Sequence, residues 1–248
     1  MPVTAAPCTT SSALAGLSLL VPAHDDWTGG AVADAWRRQG GRVRPVDRYW
    51  AARIRRDPGL RLYGPDIFCR TLAARLDLAL LAPRDEILAA LPPRLLGRRV
   101  RVGRLGDLAR GRRRFVKPVE PKLFRAQVVA GSAPILRAYS ATRRDTPVLV
   151  ADVVAFEAEV RVFVLDGRVA AAATYRGQAA TEDALPAVRE LLAWRRLPRA
   201  WVVDVGRLSD GRWAVVEFNA VHAAHAYACD PESVARCVAA ASGAQHGG

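Results

Sequence analysis

Two Asp-Gly pairs, each set between valine-rich runs, constrain this chain more than any other feature. They stand in E-A-E-V-R-V-F-V-L-D-G-R-V-A-A-A-A-T-Y-R, around Asp166-Gly167, and in V-V-D-V-G-R-L-S-D-G-R-W-A-V-V-E-F-N, around Asp210-Gly211. Asp-Gly reaches the positive φ angles of a two-residue hairpin turn at little steric cost, and β-branched residues suit pleated strands. The pattern predicts two antiparallel hairpins. Pairing outward from Asp210-Gly211 sets Asp204 opposite Glu217, with Asn219 on the same face and Val203, Val205, Ala214, Val216 and Phe218 on the core face. Pairing from Asp166-Gly167 sets Arg161 opposite Ala172 and Glu159 opposite Thr174. Glu157, Glu159, Arg161 and Arg176 then share a polar face over Val160, Val162, Val164 and Tyr175.

Directly opposed like charges destabilise a strand pair unless a cation sits between them. A sparse set of oxygen donors, here Asp204, Glu217 and Asn219, suits Mg²⁺, which completes its shell with water and phosphate oxygens. Solvated charges on an exposed sheet face would produce the same pattern, and a G1 bulge would shift the register. The Glu157 to Arg176 set reads equally as a surface ion-pair ladder.

With 248 residues the chain has the mass for one large domain or two small ones with a real core. It has no apolar run near the length of a membrane span, and its N-terminus lacks a basic leader before Leu17 to Val21, which predicts a cytoplasmic protein with no membrane partner. Cys8, Cys69, Cys229 and Cys237 fit neither a paired C-x-x-C site nor a disulfide framework and read as reduced thiols. The net charge of +13 points to polyanionic partners, yet 35 of the 37 basic residues are arginine, as a GC-rich coding sequence would produce. The two lysines, Lys117 and Lys122, fall together in F-V-K-P-V-E-P-K, and a lysine is a compact point charge for phosphate.

The N-terminal part reads as β-α: a strand at Leu17 to Val21, a helix after a Thr28 cap, a strand at Arg42 to Val46, and a helix over Ile67 to Leu80 with Ile67, Leu72, Leu76 and Leu80 inward. A further helix starts at Pro83 and stops at Pro92-Pro93. The stretch to Arg114 carries nine arginines against one acid, Asp107. Helices are expected at Asp183 to Trp194 and Pro231 to Ala241, with the tail S-G-A-Q-H-G-G frayed.

The order F-V-K-P, V-L-V-A-D-V-V, E-x-E-V-R-V-F-V, then D-V-G with E-F-N after a hairpin, resembles the ATP-grasp superfamily. It is most similar to the small two-domain bacterial proteins of the R-two-K clade. Y-G-P-D-I-F-C-R, L-L-A-P-R-D-E-I-L-A-A-L-P and A-C-D-P extend the resemblance over most of the chain. It implies an α/β N-terminal pre-ATP-grasp domain, residues 1–82, followed by an α+β ATP-grasp domain with antiparallel sheets, residues 83–248. ATP would lie between two sheet layers, with Lys117 and Lys122 toward its phosphates and Val150 to Val153 along the adenine edge. Asp152 and Glu157 would stand near adenine and ribose, Arg161 would face the phosphates or an acyl phosphate, and Asp204, Glu217 and Asn219 would hold Mg²⁺.

Two departures stand out: residues 118–130 contain no glycine where a glycine-rich phosphate loop is common, and the loop after Asn219 reads A-V-H-A-A-H-A-Y-A-C-D-P. His222, His225 and Cys229 in that loop fall one ligand short of a zinc site and read instead as residues near a substrate pocket.

The activity implied is a ligase: a substrate carboxylate attacks the γ-phosphate of ATP, and an amine or similar nucleophile displaces phosphate from the acyl phosphate. The carboxylate and amine partners could be small molecules or peptides. Two other readings stay open, a basic nucleic-acid-binding protein using Arg94 to Arg114, and an ATP-grasp kinase or nucleotide-sensing domain without full ligase activity.

Overall fold

The computed structural model describes residues 13–23, 29–120, 123–194 and 197–244. The chain opens with β1 (Ser18–Pro22), α1 (Gly30–Arg38), β2 (Arg42–Val46), β3 (Leu60–Leu62), α2 (Asp66–Leu76) and β4 (Leu78–Leu80). β1 is the middle strand of a parallel sheet ordered β2-β1-β3, and its Leu19 and Leu20 are both fully buried, as a strand covered on both faces requires. α1 lies against this sheet through Trp36, whose ring packs so tightly on Gly41 that a Cβ there would stand 2.2 Å from Nε1. The predicted Thr28 cap lies outside the described residues; Gly29 occupies the N-cap and makes no side-chain bond.

The second helix differs from its sequence pattern at both ends. Ile67 is 58% exposed, and the inward side is Phe68, Cys69, Leu72 and Leu76. The helix stops at Leu76 because Asp77 turns left-handed at φ 58°, and the next three residues form a strand instead of another turn. That strand, β4, pairs antiparallel with β13 (Ser242–Ala244), so part of the tail expected to fray is held in a two-stranded sheet.

Between them run a 3₁₀ turn at Asp85–Ala90, in place of the helix expected from Pro83, and then α3 (Pro93–Leu96), β5 (Val100–Arg104), β6 (Arg114–Pro118), β7 (Gln127–Val129), α4 (Ala133–Ala138) and β8 (Pro147–Ala151). These strands form an antiparallel sheet ordered β5-β8-β6-β7. One face packs Val116, Val148 and Val150 on Leu105 and Ile135. β9 (Phe156–Leu165), β10 (Arg168–Arg176), α5 (Leu185–Leu192), β11 (Ala200–Leu208), β12 (Trp213–Asn219) and α6 (Pro231–Ala241) follow, with a second antiparallel sheet ordered β10-β9-β11-β12. The helix expected over Asp183 to Trp194 is a 3₁₀ turn at Thr181–Ala184 running into α5.

Both hairpins form, with bulges that their turns do not announce. Asp166 and Gly167 both take positive φ, 49° and 72°, as a type I′ turn needs. The register slips after Val169 and again after Thr174, so Arg161 faces Ala173, not Ala172, and Glu159 faces Arg176, not Thr174. The second turn is longer than two residues: Leu208 N–H donates to the Arg212 carbonyl, and only Gly211 is left-handed. A bulge at Val216 compensates, and Asp204 ends opposite Glu217. Because of that bulge, Trp213 and Val215 join Phe218 beside Val203 and Val205 where Val216 was expected, while Ala214 is buried as expected, beside Gly97.

This sheet is covered on both faces. Val160, Val162, Val203, Val205 and Val215 pack on Val188 and Leu191 of α5 and on Leu88 and Leu95. The other face carries Phe163 and Val202 onto Val234 and Val238 of α6, and through them onto Val32 and Trp36 of α1, so the N-terminal layer and the large sheet share one core. At the rim Glu232 receives Arg38 Nε at 2.7 Å and Gln39 Nε2 at 2.6 Å.

α6 is therefore the joint between the two halves, and its N-cap is open to a direct test. The Asp230 carboxylate accepts from Ser233 N–H at 2.9 Å, and that bond, set against a small burial cost, holds its pKa below the ordinary 3.8. A depressed carboxylate contributes stability that is complete above its unfolded pKa and disappears as pH falls through the folded value. Asp230→Ala should destabilise the protein by about 1 kcal/mol at pH 7. In urea melts the gap to the parent should close as pH drops below the ordinary value.

Candidate active site

The carboxylates of the second hairpin belong to a row that crosses the sheet. Ala173 of β10, Arg161 of β9, Asp204 of β11 and Glu217 of β12 are successive cross-strand neighbours. Arg161 grips Asp204 with both arms, Nε to Oδ1 at 2.8 Å and Nη2 to Oδ2 at 2.7 Å, and its Nη1 donates to the His225 carbonyl at 3.0 Å. Asp204 is 1% exposed. Burial pushes its carboxyl up from the ordinary value and the guanidinium pulls it back, while Arg161 itself is held charged above its usual range despite its own burial. Tyr175 and Tyr227 stack on each other and stand beside the guanidinium, their ring centroids 5.5 and 4.8 Å from its carbon. The bulge around Tyr175 turns this side chain toward Arg161, onto the polar face rather than beneath it, and its hydroxyl bonds Glu159.

Glu217 is half-buried and faces the other sheet, where Lys117 Nζ of β6 donates to Oε2 at 3.0 Å. Burial alone would raise the Glu217 pKa; Lys117, the Asn219 amide and Arg161 together hold it below the ordinary 4.5. Asn219 Nδ2 bridges the two acids, 3.1 Å from Asp204 Oδ2 and 3.4 Å from Glu217 Oε1. The protein thus supplies two cations of its own, Arg161 and Lys117, to the opposed carboxylates.

Lys117 stands between two cavities. One, of about 440 Å³, opens between the sheets: Phe115, Val128, Leu149 and Val153 form apolar walls, and Arg98, Glu159, Arg176, Val216 and Glu217 form the polar side and floor. Phe115, Val128 and Val153 are 36%, 37% and 47% exposed, so this apolar surface is left uncovered by folding and suits a flat ring between two sheets. The other cavity, about 710 Å³, lies across Lys117 and Asn219 between β12 and the N-terminal layer, with Asp66, Arg70, Phe124 and Arg125 on its walls.

Of the residues singled out in the sequence, Lys117, Arg161, Asp204, Glu217 and Asn219 come together. Val153 lines the inter-sheet cavity, whereas the Val150 side chain points into the core on the far side of its sheet. Asp152 reaches the cavity edge, but its carboxylate is engaged by Arg114 at 3.2 Å and by the Arg99 N–H at 3.3 Å. Glu157 is absent from the cavity wall and pairs with Arg207 at 3.6 Å; Glu159, one strand alternation further on, takes a place there and bonds Arg176 at 2.5 Å. Lys122 lies outside the described residues. Sequence reasoning passed over Arg98, Phe115 and Phe156, because a basic residue in an arginine-rich stretch and two phenylalanines carry no mark of their destination.

His222, His225 and Cys229 do not gather into a metal site. His222 is buried with Nε2 3.9 Å from Asp66, His225 lends its carbonyl to Arg161, and burial pushes the Cys229 thiol up to about 12. Among the described residues no group of three His, Cys, Asp or Glu side chains could hold a metal; Cys229 and Cys237 are free thiols, Cys69 Sγ donates to the Gly64 and His222 carbonyls, and Cys8 lies outside the described residues. No helix among the described residues is long and apolar enough to cross a membrane.

Residues 95–237, which span both four-stranded antiparallel sheets, match the model of the ATP-grasp domain, R-two-K clade family 2. The chain belongs to the R-two-K clade of the ATP-grasp superfamily. Three solved structures share the ATP-grasp fold over nearly their whole length. ATP-grasp ligase PsnB complexed with minimal precursor is 17% identical over 89% of this chain and 98% of that chain, with a TM-score of 0.50. D-cycloserine synthetase DcsG is 16% identical over 90% and 99%, at 0.52. A RimK domain protein ATP-grasp from Sphaerobacter thermophilus DSM 20745 is 16% identical over 90% and 98%, at 0.51. No curated protein matches the chain.

In this ATP-grasp domain Asp204, Glu217 and Asn219 are the residues whose donor chemistry could hold a magnesium ion. Two carboxylates and an amide within reach of one another leave the remaining positions to water and phosphate oxygens, the arrangement Mg²⁺ favours. Glu217 and Asn219 are the accessible donors, and Asp204 sits behind them on Arg161.

Of the ion pairs at the site, Arg161–Asp204 is more deeply buried than Lys117–Glu217, so each partner depends on the other. Arg161→Met leaves a buried carboxylate without its partner and should destabilise the protein by about 3–5 kcal/mol in urea melts. Adding Asp204→Leu to that variant should recover most of the loss, because the uncompensated charge is then gone.

Proposed function

We propose that this ATP-grasp protein is a Mg-ATP-dependent ligase that activates a substrate carboxylate as an acyl phosphate and passes the acyl group to an amine or similar nucleophile. The observation that carries this reading is the position of Lys117, a charged ammonium shared by two adjoining cavities, one shaped for a nucleotide and one for a second substrate. ATP lies between the sheets with its base against Phe115, Val128 and Val153 and its phosphates toward Lys117 and Glu217. The acid occupies the larger cavity with its carboxylate at Lys117 and Asn219. In this reading residues 1–82 form the pre-ATP-grasp domain that walls the acid cavity, and residues 83–248 form the nucleotide-binding domain.

Phosphoryl transfer asks a protein mainly for positioning and for cations over developing negative charge. A carboxylate oxygen attacks the γ-phosphorus, the bond to the β–γ bridging oxygen breaks, and ADP leaves. The nucleophile then attacks the acyl carbon, phosphate departs with the C–O bond electrons, and the ammonium proton is released to solvent. Lys117 neutralises the transferring phosphoryl group, and Arg161, fixed in direction by Asp204 and the His225 carbonyl, turns its remaining N–H donors toward the acyl phosphate. Mg²⁺, held by Glu217 and Asn219 with Asp204 behind, supplies charge neutralisation on the phosphates.

The neighbours named above act on different partners: PsnB is complexed with a minimal precursor, and DcsG is a D-cycloserine synthetase. Both a peptide carboxylate and a small acid fit the dimensions of the larger cavity, within the range typical of ligand sites.

Lys117→Ala and Glu217→Gln should each leave a protein that melts cooperatively while phosphate release from Mg-ATP, assayed over a panel of carboxylates and amines, falls by about 100-fold or more. Undiminished release in both variants would refute the assignment.

A further inference from the structure

The geometry points to Arg98 as a positioning residue that holds the β12 bulge and thereby aims Glu217 at the metal; this rests on the Mg-ATP reading above. Arg98 enters from the turn after α3. Its Nη1 donates to the carbonyls of Leu96 at 3.0 Å and Val215 at 2.8 Å, and its Nη2 to the Val216 carbonyl at 3.0 Å. Val216 is the extra residue of the bulge, and a bulge leaves its backbone partly without ladder partners. The guanidinium also lies 5.4 Å from the centre of the Phe156 ring, and its hydrogen bonds among the described residues go to main-chain carbonyls. An arginine that is mostly withdrawn from water and bonded only to main-chain oxygens is a costly way to fill space, which calls for a task beyond packing.

The task follows from strand periodicity. Val215 faces the core beside Val205, and the bulge lets Val216 and Glu217 both face the inter-sheet cavity. If the bulge were lost and the register slipped by one residue, the side chains past it would exchange faces, turning Glu217 toward the core and Phe218 toward the nucleotide. Arg98 bonds both carbonyls at the irregularity and opposes that slip. It acts on the metal through Glu217, as residues behind metal ligands commonly do.

The test uses the full chain as wild type, Arg98→Met and Arg98→Lys, with ATP binding measured by calorimetry in saturating Mg²⁺ and again in EDTA. The expected result for Arg98→Met is a loss in Mg-ATP affinity about 10- to 100-fold greater than the loss measured without metal. Arg98→Lys, whose ammonium can still reach a carbonyl, should fall between the two and decides the matter if the methionine variant does not fold. An equal loss with and without metal would mean that Arg98 contacts the phosphates directly and would overturn the proposal, as would no loss at all. Hydrogen exchange gives a readout independent of nucleotide: residues 213–219 should exchange faster in Arg98→Met while α5 is unchanged. Unaltered exchange in β12 overturns the positioning role by itself, whereas a wild type that binds no ATP in either condition sinks the ligase reading and leaves the exchange result to judge Arg98.

Discussion

A guanidinium in the interior of a β-sheet allows this molecule to keep an acid where water cannot reach it. Arg161 and Asp204 are cross-strand partners on the two central strands, so the backbone ladder that brings them together also limits how far they can part. Two well-aligned hydrogen bonds offset the desolvation of both charges, and the third arm of Arg161 ties the loop after β12 to the same point. The row then continues outward through Glu217 to Lys117 on the opposing sheet, with charges that compensate in pairs. Burial decreases along it, from Asp204 in the sheet to Glu217 at the mouth of the cleft. The inner pair is suited to rigidity and the outer pair to exchange with a ligand.

Rigidity of that kind suits the phosphoryl transfer proposed for this protein, which is mostly a matter of placement. The cleft walls come from two different sheets, and the larger cavity from a third layer, so no single element could build the site. α6 resolves this by packing on β9, β10 and α1 together, and β13 at its end adds a strand to β4 of the N-terminal half. The N-terminal layer is therefore part of the wall and part of the core at once, and the larger cavity arises where the layers meet.

Bulges decide which side chains reach the cleft. Three register slips, after Val169, Thr174 and Asp204, redirect Tyr175, shift the partners of Arg161 and Glu159, and place Val216 beside Glu217. Each slip is small in sequence terms, one residue on one strand, yet with a period of two it reverses everything beyond it. Irregular strands next to a site are a common device for turning a side chain out of the alternation, and here they separate the polar row from the valine core on neighbouring strands.

From the amino-acid order alone one could read the two hairpins, the β-α opening, α6 with its Asp-Pro start, and the meeting of Lys117, Arg161, Asp204, Glu217 and Asn219 within a family pattern. Apart from the meeting of Lys117 with the hairpin residues, which the family pattern implied, these are local properties: turn chemistry, alternation, capping and short motifs act within a few residues. What only the tertiary structure decided is where non-local partners intervene. The residues after Asp77 form a strand instead of another helical turn because β13 supplies a partner from the other end of the chain. Asp152 is claimed by Arg114, and Glu157 lies off the cavity wall, where Glu159 stands instead. Arg98, one of nine arginines in its stretch, acquires its meaning from two carbonyls more than a hundred residues away. A side chain's type is written in the sequence, but its partner is set by packing between distant segments, and no local rule reports which of several equivalent charges will find one.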